Sequence, residues 1–223
     1  MLSLYATAPL ALYLVELIGP RSPVAKFGPQ ITAPALIGFF VGIAGLAILF
    51  WVQLRLGWLQ TVGGEPPPKF DVGKAICLSA ILAIGVGLVE EIIFRGFLFT
   101  QFSESFSPYA AASLSSLIFA LLHLVWDREN TQPQLIGLWI MGMVLAWAYA
   151  LNGFSIGLPW GLHAGWILGI AVVEIRGQLT PTGQVPLWVT GGAGRPLAGL
   201  GATGFLLATA AVLWLIAAAG LVG

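Results

Sequence analysis

The chain has 223 residues, of which 58% are hydrophobic and 8% are charged. In soluble domains roughly a quarter of the residues are charged. Nine Lys and Arg balance nine Asp and Glu, and without a basic block nucleic acid is excluded as an expected partner. The high hydrophobic and low charged content excludes an ordinary soluble domain. Apolar runs recur at close to the roughly 20 residues that cross a bilayer, which predicts an all-α, polytopic transmembrane bundle.

The amino-terminal part contains one short and one long apolar run. Residues 4–18 are apolar, but no basic residue precedes the run and Glu16 interrupts it. These features argue against a cleaved signal peptide and predict a first, weaker spanning helix or an interfacial one. Residues 31–54 are uncharged and predict the clearest spanning helix. Residues 55–73, with three consecutive prolines, predict a surface loop.

Five more apolar runs follow, separated by short loops and by a Gly, Pro and Thr-rich stretch at 177–195. Each run is close to spanning length, so the chain is predicted to cross the membrane about seven times. The third to seventh predicted spans cover residues 74–102, 109–126, 134–151, 155–175 and 200–221.

The distribution of Lys and Arg between the predicted loops gives an orientation, because positive residues are retained on the cytoplasmic side. The odd-numbered loops hold Arg21 and Lys26. We therefore predict a cytoplasmic amino terminus. This orientation is reversed if the first segment does not span the membrane. The expected location of this multi-pass protein is the cell inner membrane, where membrane lipids surround it. The even-numbered loops and their edges hold Arg55, Lys69, Lys74, Arg128, Arg176 and Arg195.

Three charged residues lie in the middle of the third predicted span, in the sequence Val-Glu-Glu-Ile-Ile-Phe-Arg-Gly-Phe. An ionised group at the bilayer centre costs about 3 kcal/mol or more, so such residues face the bundle interior and usually serve a function. Glu91 and Arg95 have i, i+4 spacing, which predicts an ion pair on one helix face. Glu90 lies about 100° around the helix and is predicted to hold a water or take a proton. The alternative is an ion network that only ties helices together.

Both histidines of the chain, His123 and His163, fall within predicted spans. A lone histidine in an apolar helix is more often a hydrogen-bonded core residue than a catalytic one. Together with the glutamates, however, one imidazole can help to deprotonate a water while the second donates a hydrogen bond to the oxyanion of an attacked peptide carbonyl. The pattern thus predicts hydrolysis of a peptide bond inside a membrane.

The three motifs resemble, in order, those of the CPBP family, which comprises CAAX prenyl endopeptidases and bacteriocin-processing enzymes and is also called the Abi family. The resemblance covers roughly residues 74–176, which we expect to be the catalytic core. Residues 1–73 are then the N-terminal helices and loop, and residues 177–223 a loop and C-terminal transmembrane helix. The motifs are Glu90-Glu91-x-x-x-Arg95, Phe119-x-x-x-His123, and His163 in Gly-Leu-His-Ala-Gly-Trp.

The resemblance implies a role for each motif. Glu90 is expected to be the base that activates a water, with His123 as its partner, and His163 is expected to be the oxyanion donor. The expected support comes from Glu91 and Arg95. Phe119 is expected to pack beside the site or to be ordinary core. The implied substrate is a membrane-associated peptide or protein, and the sequence leaves open whether it is prenylated.

The third motif departs from the family pattern, since Ile167 stands where the family usually has Asn or Asp. Losing one oxyanion donor costs on the order of 10²-fold or more in rate in other enzymes. Two alternatives to an active protease therefore stay open. One is a non-catalytic membrane scaffold or immunity protein with the same fold, and the other is a proton-coupled transporter that uses Glu90 and His123 as a relay.

A metal site is the main mechanistic alternative, because Glu90, His123 and His163 would suffice for a catalytic zinc with an open position. The family has been described as both metalloprotease and glutamate protease, and the zinc-binding sequence HExxH is absent. We predict that no metal cofactor is required.

Overall fold

A computed structural model describes residues 31–62, 71–125, 127–192 and 194–222. Six helices within these ranges are long and apolar enough to cross a membrane. The predicted all-α transmembrane bundle is confirmed. The predicted first segment, residues 4–18, lies outside the described residues.

The six long helices correspond to the second to seventh predicted spans. Two short helices, α4 and α7, lie in the connections between them. The helices are α1 (Thr32–Arg55), α2 (Val72–Ser103), α3 (Pro108–Leu122), α4 (Arg128–Thr131), α5 (Leu135–Leu151), α6 (Gly157–Arg176), α7 (Leu187–Thr190) and α8 (Leu200–Ala218).

Capping residues explain where several helices begin. The Asp71 carboxylate accepts a hydrogen bond from the Lys74 backbone N–H at 2.9 Å, so α2 starts two residues before the predicted boundary. Ser107 caps α3, and Pro108 occupies its first turn, where its missing N–H costs nothing. These boundaries follow from polar side chains that a hydropathy profile does not weigh.

The closest helix pair is α1 with α6, and glycines make that approach possible. A Cβ atom at Gly161 would collide with the carbonyl oxygen of Ala35, and one at Gly38 would collide with that of Leu158. In lipid, small residues of this kind let backbones pack closely. The pair fixes the position of α6, which carries His163.

Large apolar side chains cover the outside of the bundle, for example Phe40, Ile81 and Ile136. Several polar side chains are instead buried inside it, including Glu91 and Arg95. A soluble protein with this surface would aggregate. The outer surface fits hydrocarbon as its solvent.

The second, fourth and sixth predicted loops meet at one end of the bundle. Strand β1 (Leu59–Val62) pairs antiparallel with β2 (Gln178–Pro181), with Leu59 opposite Pro181. The Arg195 Nε donates to the Asn130 side-chain oxygen at 2.9 Å. The two strands lie in stretches predicted as loops, and their pairing across more than a hundred residues leaves no local sequence signal. That this end faces the cytoplasm stays a prediction.

Polar contacts tighten the connection that carries α4 at this end. The Asn130 side chain and backbone N–H both donate to the Asp127 carboxylate, at 2.7 and 3.2 Å. These hydrogen bonds hold the pKa of Asp127 below its usual value, since they stabilise the ionised form. Together with the Arg195 contact, they tie the end of α3 to the segment that leads into α8.

Candidate active site

The site is built where α2 changes its helical geometry. The α-helical part ends at Glu91, and Ile92–Phe99 form a π-helix. Segments of π-helix are rare and occur often at functional sites. Both glutamates and Arg95 therefore lie at or within this irregular segment, in the interior of the bundle.

Arg95 is held by polar and aromatic partners inside the bundle. Its Nη1 donates to Glu91 Oε1 at 2.9 Å, and its Nη2 donates to the backbone oxygen of Gly142 on α5 at 2.9 Å. The guanidinium carbon lies 5.1 Å from the Phe119 ring centre and 5.9 Å from that of Phe94. Arg95 and Glu91 are both fully buried. The predicted ion pair is present within α2, and the hydrogen bond from Arg95 to Gly142 links α2 to α5.

His163 on α6 lies between the two glutamates. Its Nδ1 is 2.8 Å from Glu91 Oε1, and its Nε2 is 3.6 Å from Glu90 Oε2. Because an ionised carboxylate can only accept, the short contact places a hydrogen on Nδ1. Glu91 Oε1 thus receives hydrogen bonds from both Arg95 and His163. The contacts form one chain from Arg95 through Glu91 and His163 to Glu90.

His123 lies at the carboxyl end of α3, where the α-helix tightens into a 3₁₀ turn. Its Nδ1 is 2.8 Å from the backbone oxygen of Phe119, so Nδ1 carries the hydrogen and Nε2 is left as an acceptor in the neutral ring. The ring centre of Phe119 is 4.6 Å from that of His123 and 5.9 Å from that of His163. Phe119 is fully buried and separates the two imidazoles.

The structure brings Glu90, Glu91, Arg95 and His163 into direct contact, with Phe119 packed against this group. His123 joins it through Phe119, and its expected partnership with Glu90 stays a prediction. The roles expected for all these residues likewise stay predictions.

Sequence reasoning missed the contribution of Gly142. A glycine within an apolar span often marks a place where another helix packs closely. At Gly142 a Cβ atom would lie 2.7 Å from the Ser116 side chain of α3. That signal does not reveal that its carbonyl oxygen accepts from a residue 47 positions earlier.

Ile167 is half-buried and supplies no polar atom from its side chain. The neighbouring Trp166 is buried, and its indole N–H has no acceptor within the described part of the chain. Trp166 packs against Phe205 of α8, with 6.1 Å between ring centres. The side chain at position 167 therefore supplies no hydrogen-bond donor, and the consequence for catalysis stays a prediction.

The arrangement of the same residues bears on the alternative of a metal site. Among the described residues, no group of three His, Cys, Asp or Glu side chains is arranged to hold a metal ion. The alternative ligand set Glu90, His123 and His163 therefore does not form such a group. The expectation that no metal is required stays a prediction.

Comparison with known proteins supplies an assignment for this segment. Residues 73–168 match the sequence model of a family described as "Rce1-like: Type II CAAX prenyl endopeptidase Rce1-like". The match confirms that residues 73–168 resemble the CPBP family. The segment contains all three motifs. Its description covers the CAAX endopeptidase branch, so the bacteriocin-processing (Abi) detail stays a prediction.

Curated proteins to which the chain is similar are also described as proteases. The chain is 27% identical over 169 residues to rhomboid protease GlpG of Salmonella newport, Salmonella heidelberg and Salmonella schwarzengrund. The similarity covers 73% of this chain and 54% of each relative, so it spans about half the length of those curated proteins. No solved structure matches the chain significantly.

Proposed function

We propose that the chain is an intramembrane endopeptidase that hydrolyses a peptide bond of a membrane-associated substrate. The observation that carries this proposal is the buried chain of contacts from Arg95 through Glu91 and His163 to Glu90. The protease descriptions of the matching family and relatives support the same activity. Burying charged groups in an apolar bundle costs free energy, and charged residues found there usually serve a function.

In the proposed mechanism Glu90 is the general base. Its carboxylate accepts a proton from a water, and the acceptor Nε2 of His123 holds the second hydrogen of that water. The water oxygen attacks the peptide carbonyl, and Glu90 then passes the proton to the leaving amine. A positioned carboxylate of this kind contributes on the order of 10²- to 10⁴-fold in rate.

His163 is proposed to stabilise the oxyanion. When its ring is protonated, Nδ1 donates to Glu91 and Nε2 carries a second hydrogen. As the oxyanion forms, the Nε2 hydrogen can turn from Glu90, 3.6 Å away, to the new negative charge. Glu91 and Arg95 act as positioning residues.

The experiment is cleavage of a panel of prenylated and unprenylated membrane peptides by the purified protein in lipid nanodiscs. Wild type is compared with Glu90→Gln and with Glu104→Gln, a matched change in an exposed carboxylate just beyond α2. We expect cleavage by wild type and by the Glu104 variant, with loss in the Glu90 variant. Intact peptides with folded wild type would overturn the proposal.

The same panel addresses substrate and metal. Cleavage confined to prenylated peptides would assign the substrate to CAAX-type proteins, whereas equal cleavage would assign general membrane peptides. A chelator arm is included, with zinc added back. A cleavage rate that the chelator leaves unchanged supports a water held by side chains alone. Cleavage that is lost with the chelator and restored by zinc would replace this with a water held by a metal ion.

Ile167 favours one second candidate, a non-catalytic scaffold or immunity protein with this fold. In that case Glu90→Gln leaves its cellular activity unchanged, and no peptide of the panel is cleaved. A proton-coupled transporter would instead show substrate flux that depends on a pH gradient, with no cleavage product.

A further inference from the structure

A small pocket with polar side chains in its lining lies away from the candidate active site, at the end of the bundle where β1 and β2 pair. Its volume is about 70 Å³, well below the roughly 300 Å³ of pockets that enclose drug-sized ligands, so it has room for a small group. Residues of α1, α6 and the segment before α8 line it, among them Gln53, Glu174 and Thr190. Glu174 follows His163 by eleven residues on α6, or about 16 Å along the helix axis.

Gln53 is the strongest sign that the pocket takes a ligand. The residue is 4% exposed, and its side chain makes no hydrogen bond within the described part of the chain. Gly201 of α8 packs directly against the amide, because a Cβ there would lie 2.6 Å from the Gln53 nitrogen. A buried amide is normally hydrogen-bonded, so its carbonyl and NH₂ groups are available to a bound polar group.

The charge of the pocket selects the kind of group. Among the described residues that line it, Glu174 supplies the charge, and its carboxylate is exposed at the rim. The hydroxyl of Thr190 donates to the Gly191 backbone oxygen, so its oxygen can also accept a further hydrogen bond. A carboxylate, an amide oxygen and a hydroxyl oxygen together suit a primary ammonium group with its N–H donors.

An apolar groove lies between α1 and α8, and α1 contributes residues to both the groove and the pocket. It has a volume of about 440 Å³ and lies between α1 and α8, from Val41 to Val52 on α1 and from Gly204 to Val212 on α8. Both helices have the length and apolarity of membrane spans, so the groove faces hydrocarbon and fits an acyl chain. The Gln53 amide lies beside Gly201, one turn before Gly204, so the polar pocket lies near the end of the groove that Val52 and Gly204 line.

We infer that the pocket and groove together bind one phospholipid with an ethanolamine headgroup. The ammonium lies among Gln53, Glu174 and Thr190, and an acyl chain lies in the α1–α8 groove. Because α1 and α6 are packed together and α6 carries His163, a bound lipid would brace the helix pair that positions the active site. The inference does not depend on the proposed protease activity.

The test measures which lipid stays with the protein. Full-length protein is reconstituted in nanodiscs with equal phosphatidylethanolamine, phosphatidylcholine and phosphatidylglycerol, extracted into detergent, and examined by native mass spectrometry. We expect one phosphatidylethanolamine molecule to stay bound to the protein more often than either of the other two lipids. Phosphatidylcholine has no ammonium N–H, so its retention is expected to be lower by about tenfold, the factor for one hydrogen bond to a charged group.

Two variants address the two halves of the site, each with a matched control. Glu174→Gln removes the carboxylate, and its control is Glu104→Gln at the other end of the bundle. Gly204→Leu fills the groove without a collision, since a Cβ there meets no atom within 4 Å, and its control is Gly85→Leu, which is equally open on α2. Melting temperature in detergent shows that each variant is folded.

We expect Glu174→Gln to lose the preference for phosphatidylethanolamine and Gly204→Leu to lose retention of lipid. Both controls are expected to behave as wild type. Equal retention of the three lipids by wild type would show annular lipid only and would overturn the inference. Unchanged retention in folded Glu174→Gln and Gly204→Leu would also overturn it.

Discussion

The Glu91 carboxylate has two functions at once in this protein. Its Oε1 accepts from Arg95 and from His163, while its Oε2 is buried with no hydrogen-bond partner in the described part of the chain. The first contact neutralises a buried cation, and the second orients an imidazole. A buried ion pair of this kind need not add stability, but breaking it leaves one charge uncompensated.

Replacing Arg95 by methionine tests this reasoning. The change leaves the Glu91 carboxylate buried without its cation, so we expect a loss of about 3–5 kcal/mol in the free energy of unfolding. The double variant Glu91→Gln/Arg95→Met removes both charges and is expected to be the more stable of the two. Denaturation in detergent, followed by circular dichroism, measures both. A double variant less stable than Arg95→Met would contradict the account.

The gap in the third motif gives a prediction for a gain of activity. Ile167→Asn places an amide donor one turn after His163, where the family pattern has one. Since one oxyanion donor is worth on the order of 10²-fold in other enzymes, we expect a rise in kcat of about tenfold or more. Ile175→Asn, two turns further along α6, is the control. Equal rates for Ile167→Asn and wild type would show that this position does not face the reacting group.

At the scale of helices, the α1–α6 pair determines where His163 lies. Glycines on both helices let the backbones touch, and the π-helical turn of α2 brings Glu90 and Glu91 to the same region. A soluble core would obtain such precision from large interlocking side chains. Here the close backbone approach serves that purpose, since lipid provides little hydrophobic force between helices.

Adding one methyl group tests this contact. Gly161→Ala places a Cβ against the Ala35 carbonyl, so the helices must separate, and we expect a loss of about 1–3 kcal/mol in stability. Cleavage should also fall, because His163 lies two residues further along α6 and is displaced when that helix moves. Gly85→Ala, where a Cβ meets no neighbouring atom, is the control. A Gly161 variant as stable as wild type would refute the importance of this contact.

At the scale of the whole molecule, hydropathy predicted the six spans that the described residues contain, and motif spacing singled out residues that the fold brings together, whose roles stay predictions. Glu91 and Arg95 were paired correctly because both lie on one helix, where spacing determines neighbours. The contacts of Arg95 with Gly142 and of His163 with Glu91 join different helices, and a single sequence carries no distance between them. The β1–β2 pair was missed for the same reason.

The orientation of the bundle has a direct test. The loops rich in Lys and Arg meet at one end, which we expect to be cytoplasmic. A reporter fused after α8 should therefore lie on the opposite, non-cytoplasmic side, whereas one inserted after β1 should be cytoplasmic. Paired alkaline phosphatase and fluorescent protein fusions measure this. A C-terminal reporter in the cytoplasm would contradict the predicted orientation.

The central claim is that a water activated by Glu90, rather than a side chain of the protein, attacks the peptide bond. Cleavage in the presence of hydroxylamine tests it, because an acyl group held covalently by the protein would pass to this added nucleophile. Mass spectrometry of the products gives the answer, with heat-inactivated protein as the control. We predict a free carboxylate on every product and no hydroxamate. Hydroxamate formed by wild type would show a covalent intermediate and contradict direct attack by water.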